Sequence, residues 1–83
     1  MTLTIFEQVQ QIASDLFAVP TDRITAETSP DNLESWDSIQ HLNLVLALEE
    51  KFNLQLSPEE MEQMRSIGQI TTLLATRLQN TPS

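Results

Sequence analysis

The sequence has no cysteine, one glycine, one histidine and only four basic residues among its 83. Each scarcity closes a class of function. Without cysteine there is no disulfide framework, no thiol nucleophile and no thiolate zinc site, a composition that suits a reducing cytosol. With His41 as the only histidine, histidine-cluster metal sites and two-histidine relays are ruled out, and Gly68 alone cannot build a glycine-rich phosphate cradle. Nucleic-acid recognition lacks both the basic charge and the aromatic residues it needs. Twelve acids against four bases leave a net charge of −8, which repels nucleic acid and anionic lipid. No apolar run approaches the length of a bilayer crossing, and no basic segment leads into an apolar core at the N-terminus. Neither membrane insertion nor a signal peptide is expected, and the expected location is cytoplasmic.

What is present bounds the answer further. Residues 1–83 make one small domain, with a frayed tail from about residue 80. A catalytic cleft with its own walls would take much of so small a core, which argues against an independent enzyme. The acidity is uneven: Met1 to Asp37 nets −6, with Arg23 its only base, while Ser38 to Ser83 nets −2. Such a field favours encounter with basic protein surfaces.

The apolar spacing is helical throughout, and no strand signal appears. Ile5, Phe6, Val9, Ile12, Ala13, Leu16 and Phe17 recur three and four apart, predicting a helix from Thr2 or Thr4 to about Phe17. Thr4 and Glu7 have capping-box spacing, and Val19-Pro20 should stop the helix. Pro20 to Trp36 reads as a long ordered crossover with a short helical turn, pinned by Ile24, Leu33 and Trp36. A second helix is expected over Asp37 to Lys51, with Asp37 as N-cap and Gln40 completing a capping box. It carries too many apolar residues for one stripe, so it is central to a bundle or presents a face to a partner. Ser57-Pro58-Glu59-Glu60 opens a short third helix. Ser66 and Gln69 cap and box a fourth, whose stripe is Ile70, Leu73, Leu74 and Leu78. The expected fold is all-α: three longer helices, one short one and a long first loop.

Three chemistries are available on paper. Ser38, His41 and Asp37 have the residue types of a hydrolytic triad, but Asp37 is spent as the cap and no glycine turn supplies oxyanion donors. His41 itself is read as a surface or partner-facing residue. Asp31 to Asp37 is rich in oxygen ligands, but it lacks the glycine and the alternating spacing of a calcium loop. No metal site is expected. Third, Ser38 stands in the first turn of the second helix, where unpaired N–H groups and the positive dipole end favour an anion. That serine is either an extra capping residue or the anchor of a phosphate ester.

Asp37-Ser38-Ile39, followed by Leu42 and by Leu44 through Phe52, resembles the Asp-Ser-Leu/Ile helix of the acyl carrier proteins. The resemblance spans nearly the whole chain and implies a four-helix bundle of that type. It implies that Ser38 is esterified by 4'-phosphopantetheine, delivered from coenzyme A by a magnesium-dependent phosphopantetheinyl transferase. The arm's thiol would carry acyl groups as thioesters, and the protein would be a monomeric carrier rather than an enzyme. Its partners would be acyl-loading and acyl-processing enzymes with basic docking patches. By the same resemblance, Asp37, Ile39, Leu46, Glu49 and Glu50 are docking residues. Leu42, Val45, Leu48, Phe52, Met64, Ile67 and Leu74 are expected to line the cargo pocket. Gln40 and Asn43 depart from the acids common in fatty-acid carriers, and the loop before Ser38 lacks their glycine. A specialised fatty-acyl or polyketide-type pathway is therefore expected. An aminoacyl or peptidyl carrier is the alternative, although its Gly-Gly-x-Ser signature is absent. A helical interaction module using the second helix is the reading from a different class.

Overall fold

A computed structural model describes residues 3–79. Four helices run in chain order, α1 over Ile5–Phe17, α2 over Ser38–Phe52, α3 over Pro58–Gln63 and α4 over Ile67–Gln79. A 3₁₀ turn at Thr21–Arg23 lies in the first connection. The all-α expectation holds. The expected tail from residue 80 falls outside the described residues.

The starts of α1 and α3 are built as their sequences suggest. Thr4 and Glu7 close a reciprocal capping box, as do Ser57 and Glu60, with Pro58 at the head of α3. Two expected boxes are incomplete. Asp37 caps α2 by accepting from the Gln40 N–H, but the Gln40 side chain turns away to donate to the Leu16 carbonyl on α1. At α4, Ser66 Oγ accepts from the Gln69 N–H, while Gln69 Oε1 accepts from Arg65 rather than Ser66. In each case a tertiary or neighbouring donor or acceptor outcompetes the local one. Pro20 does not by itself end α1. Ala18 ends it one residue before Val19 by entering the left-handed region, and the Ser14 hydroxyl donates to the Val19 carbonyl. Asn53, a residue that tolerates that region, does the same for α2.

The core sits where α1 meets α2 and α4. Val9, Ala13 and Phe17 bury one stripe of α1 against Leu44, Val45 and Leu48 of α2 and Ile67, Ile70 and Leu74 of α4. Fully burying each large aliphatic side chain is worth about 1.5–3 kcal/mol. Helix α3 packs closely with α4 alone among the described elements. It is tied there by Arg77 Nη1, which donates to both Glu60 oxygens at 2.6 and 2.7 Å.

The long connection is ordered by its own polar residues. Asn32 accepts from the Ser29 N–H and donates to the Glu27 carbonyl, and Thr28 accepts from the Thr25 N–H. Gln10 on α1 donates to the carbonyls of Thr21 and Ile24. At the far side, the N–H groups of Ile67 and Gly68 donate to Thr28 and Ala26, both at 2.9 Å. The loop thereby caps α4 and consumes donors that a helix start otherwise leaves unpaired. Ile24 and Trp36 are buried anchors, with Leu33 half-buried between them.

Candidate functional site

The connection delivers its last anchor, Trp36, two residues before α2 begins. The Trp36 indole stacks on Phe17 of α1 with ring centroids 5.3 Å apart, which fixes the direction in which the chain enters the helix. Asp37 then takes extended backbone angles, and its carboxylate accepts from Gln40 N at 2.9 Å. Ser38 follows as the first helical residue, exposed, with its hydroxyl making no hydrogen bond.

The other serines of the described chain differ. Ser14 donates to Val19, while Ser57 and Ser66 accept at helix starts. Ser29 is half-buried, and Ser35 is exposed in a turn rather than in a helix. Ser38 alone combines an exposed, uncommitted hydroxyl with a helix start. The N–H groups there, together with the dipole, favour a negatively charged substituent.

Beside Ser38 runs an open groove of about 910 Å³. Leu42 lies along it on the α2 side and Met61 and Met64 on the α3 side, with Trp36 and His41 between. Arg65 is the cation among its lining residues, which also include the acids Asp31, Asp37 and Glu62. This arrangement suits a phosphodiester on the serine with an apolar chain laid along the groove. Leu42 and the two flexible thioethers of Met61 and Met64 offer a surface that adapts to such a chain.

His41 is not the surface residue expected from the sequence. It is half-buried; its Nδ1 accepts from Trp36 Nε1 at 3.0 Å, and its Nε2 lies 3.3 Å from the Met61 carbonyl. An indole N–H can only donate, so Nδ1 is the bare nitrogen and Nε2 carries the proton toward Met61. Neither ring nitrogen is left to take a proton from Ser38. The Ser-His pairing that a hydrolase needs is not formed.

The expected pocket residues separate into three groups. Val45, Leu48, Met64, Ile67 and Leu74 are all 1% exposed or less and face the core. Phe52 is half-buried against it. Leu42 does not belong with them: it is 57% exposed, because one helical turn beyond Ser38 it shares the outward face of α2. Among the expected docking residues, Ile39 and Leu46 are large apolar side chains that are 71% and 62% exposed. Asp37 and Glu50 are exposed acids. Glu49 is half-buried and accepts from the Leu56 N–H at 2.8 Å, so it also ties the end of α2 to the chain leading into α3.

Two carboxylates have lowered pKa values, and both belong to helix caps. Glu7 is lowered by its hydrogen bonds to Thr4, the backbone one foremost. Glu60 is lowered first by the Ser57 backbone N–H and then by Arg77. These groups support the framework and lie outside the groove. Sequence reasoning missed the Trp36–His41–Met61 chain of contacts. It also missed the contribution of Arg65 to the groove, because residues of different elements meet there without any local spacing signal. Among the described residues no group of three or more His, Cys, Asp or Glu side chains is arranged to hold a metal ion. No described helix is long and apolar enough to cross a membrane.

Comparison with known proteins agrees with this geometry. The family model for the phosphopantetheine attachment site matches residues 7–74. An acyl carrier protein of Petrotoga mobilis is 31% identical over 75 residues, covering 89% of this chain and 87% of that protein. One from Clostridium acetobutylicum is 30% identical over 70 residues, covering 84% and 91%. Among solved structures, a holo acyl carrier protein of Nitrosomonas europaea superposes with a TM-score of 0.80 at 22% identity, covering 94% of this chain and all of that one. A holo acyl carrier protein of Geobacter metallireducens does so at 0.77 and 24% identity, covering 98% of each. The chain belongs to the acyl carrier protein family, and 4'-phosphopantetheine is its prosthetic group.

Proposed function

We propose that Ser38 is the attachment residue for 4'-phosphopantetheine, and that the protein carries acyl groups as thioesters on that arm for a specialised fatty-acyl or polyketide-type pathway. The observation that carries this reading is the uncommitted Ser38 hydroxyl, exposed at the start of α2 and bordering the groove. In this reading the protein is a monomeric cytoplasmic carrier and catalyses nothing itself. A phosphopantetheinyl transferase loads it, and acyl-loading and acyl-processing enzymes use it in turn.

Asp37, Ile39, Leu46 and Glu50 form the docking face around the arm, with Glu49 at its edge. The buried residues Val45, Leu48, Met64, Ile67 and Leu74, with Phe52 beside them, receive the cargo when the helices part. Leu42 guides it along the groove instead of lining the interior. Each buried methylene of an acyl chain contributes about 0.8 kcal/mol, enough for a short chain to offset a modest opening cost. The specialised pathway is inferred from α2, where Gln40 and Asn43 replace acids and bond to each other.

Intact-mass analysis after incubation with coenzyme A, magnesium and a broad-specificity transferase tests the assignment. Wild type gains one phosphopantetheine, and Ser38→Ala gains none. A wild type that stays unmodified, or a Ser38→Ala variant modified equally well, refutes it.

A further inference from the structure

We propose that Arg65 holds the phosphodiester of the arm at Ser38 and so sets the course the arm takes along the groove. This role rests on the assignment of Ser38 as the attachment site. The other cations of the described chain are committed or remote. Arg77 donates to both oxygens of Glu60. Arg23 lies in the 3₁₀ turn of the first connection, and Lys51 stands in the last turn of α2, about 20 Å along the helix from Ser38. Neither lines the groove, whereas Arg65 lines it together with Ser38.

The guanidinium is placed to take an anion. Asp31, Asp37 and Glu62 line the same groove, yet among the described residues Arg65 forms an ion pair with none of them. Its one side-chain bond there runs from Nε to the Glu62 carbonyl at 3.1 Å, so the N–H donors of both terminal nitrogens stay available. The residue is nevertheless anchored. Its backbone N–H donates to Gln69 Oε1 at 3.2 Å. Just beyond it, the N–H groups of Ile67 and Gly68 tie the turn to the connection that carries Asp31. A guanidinium fixed at its base loses less freedom on closing over an anion than a flexible ammonium does.

The head of α2 alone is a poor holder for that anion. The Asp37 carboxylate occupies the Gln40 N–H, so one donor of the first turn is taken and a negative charge stands next to Ser38 in the chain. A phosphodiester is singly charged at neutral pH and adds to the carboxylates of Asp31, Asp37 and Glu62 around the groove. Their repulsion favours an arm pushed out into solvent. The planar guanidinium answers it with paired N–H donors that match two phosphate oxygens, a fit that an ammonium does not offer. Arg65 belongs to the turn after α3, so an arm held by it is drawn to the side of the groove that Met61 and Met64 line.

NMR of the full-length protein before and after loading from coenzyme A tests this, with intact mass showing that one arm is attached. In wild type at low salt, rotation of the Arg65 guanidinium slows by roughly two- to fivefold on loading, as an exposed charge pair closed for most of the time implies. Arg23 and Arg77 keep their rates, and salt at about 0.5 M removes most of the slowing by screening. The phosphorus signal of loaded Arg65→Gln is shifted from that of wild type at low salt and coincides with it at high salt. Arg65→Lys keeps the charge and retains part of the wild-type shift. Arg23→Gln, an equal change of net charge away from the groove, behaves as wild type. A loaded wild type whose Arg65 does not slow overturns this role alone, as does a phosphorus signal that Arg65→Gln leaves in place or that Arg23→Gln moves as far. A wild type that takes no arm refutes the Ser38 assignment and this role with it.

Discussion

Gly68→Ala sets two effects of opposite sign against each other. In an exposed helix interior, replacing glycine by alanine stabilises by up to about 1 kcal/mol through helix propensity. Gly68 is the second residue of α4, and an added Cβ would stand 3.0 Å from the Ala26 carbonyl oxygen and 3.2 Å from the Ala26 Cβ. Relief requires the loop backbone to retreat by a few tenths of an ångström. It is held in place by the hydrogen bonds from Gly68 to Ala26 and from Ile67 to Thr28.

Overpacking of this kind costs about 1–3 kcal/mol. Weakening one of the two bonds costs about 0.5–1.5 kcal/mol more. The sum exceeds the propensity gain, so a net destabilisation of about 0.5–3.5 kcal/mol is expected, each kcal/mol of which lowers Tm by roughly 4–8 °C in a domain of this size. Urea and thermal unfolding followed by fluorescence read it directly, because the only tryptophan, Trp36, closes the same loop. A Gly68→Ala protein as stable as wild type, or more so, would refute the reasoning. The loop–α4 contact would then be too soft to position the entry to α2.

Three further outcomes follow from the structure. Leu48→Ala empties a fully buried position and should cost about 2–5 kcal/mol by urea unfolding. Asp37→Ala removes the N-cap of α2 and should cost about 1 kcal/mol. Asp37→Asn should retain most of that stability yet slow loading by the transferase, a split between melting and mass kinetics that a purely capping role would not produce. Glu60→Gln should cost on the order of 1 kcal/mol at pH 7, the scale of a surface ion pair. The sign with pH is set by the lowered Glu60 pKa: its contribution is present above the usual value of 4.5 and fades as pH falls through the folded-state value. Wild type and Glu60→Gln melting curves should therefore converge below that point.

Much of the molecule was legible before folding. Helix existence followed from three- and four-residue apolar spacing, and the Thr4–Glu7 and Ser57–Glu60 boxes followed from local spacing, because both partners lie within one turn. Ser38 stood out through the resemblance of Asp37-Ser38-Ile39 and the helix after it to the carrier family, since its place at a helix start suits a capping serine equally well. Expectations failed where a distant group competed. Gln40 left its own cap for the Leu16 carbonyl, and His41 went inward to Trp36 and Met61. Leu42 was grouped with the core because apolar character says nothing of which way a residue points on a helix whose apolar residues fall on more than one face.

The sequence by itself determined the helices, most of their caps, the acidic field and the serine at the head of α2, since each depends on residues within a turn of one another. Tertiary structure alone decided which side of α2 faces the core, how the only glycine admits the loop against α4, and that one histidine joins three elements beside Ser38. Those features depend on groups 5 to 42 positions apart, and their meeting is fixed by packing, which no local pattern encodes.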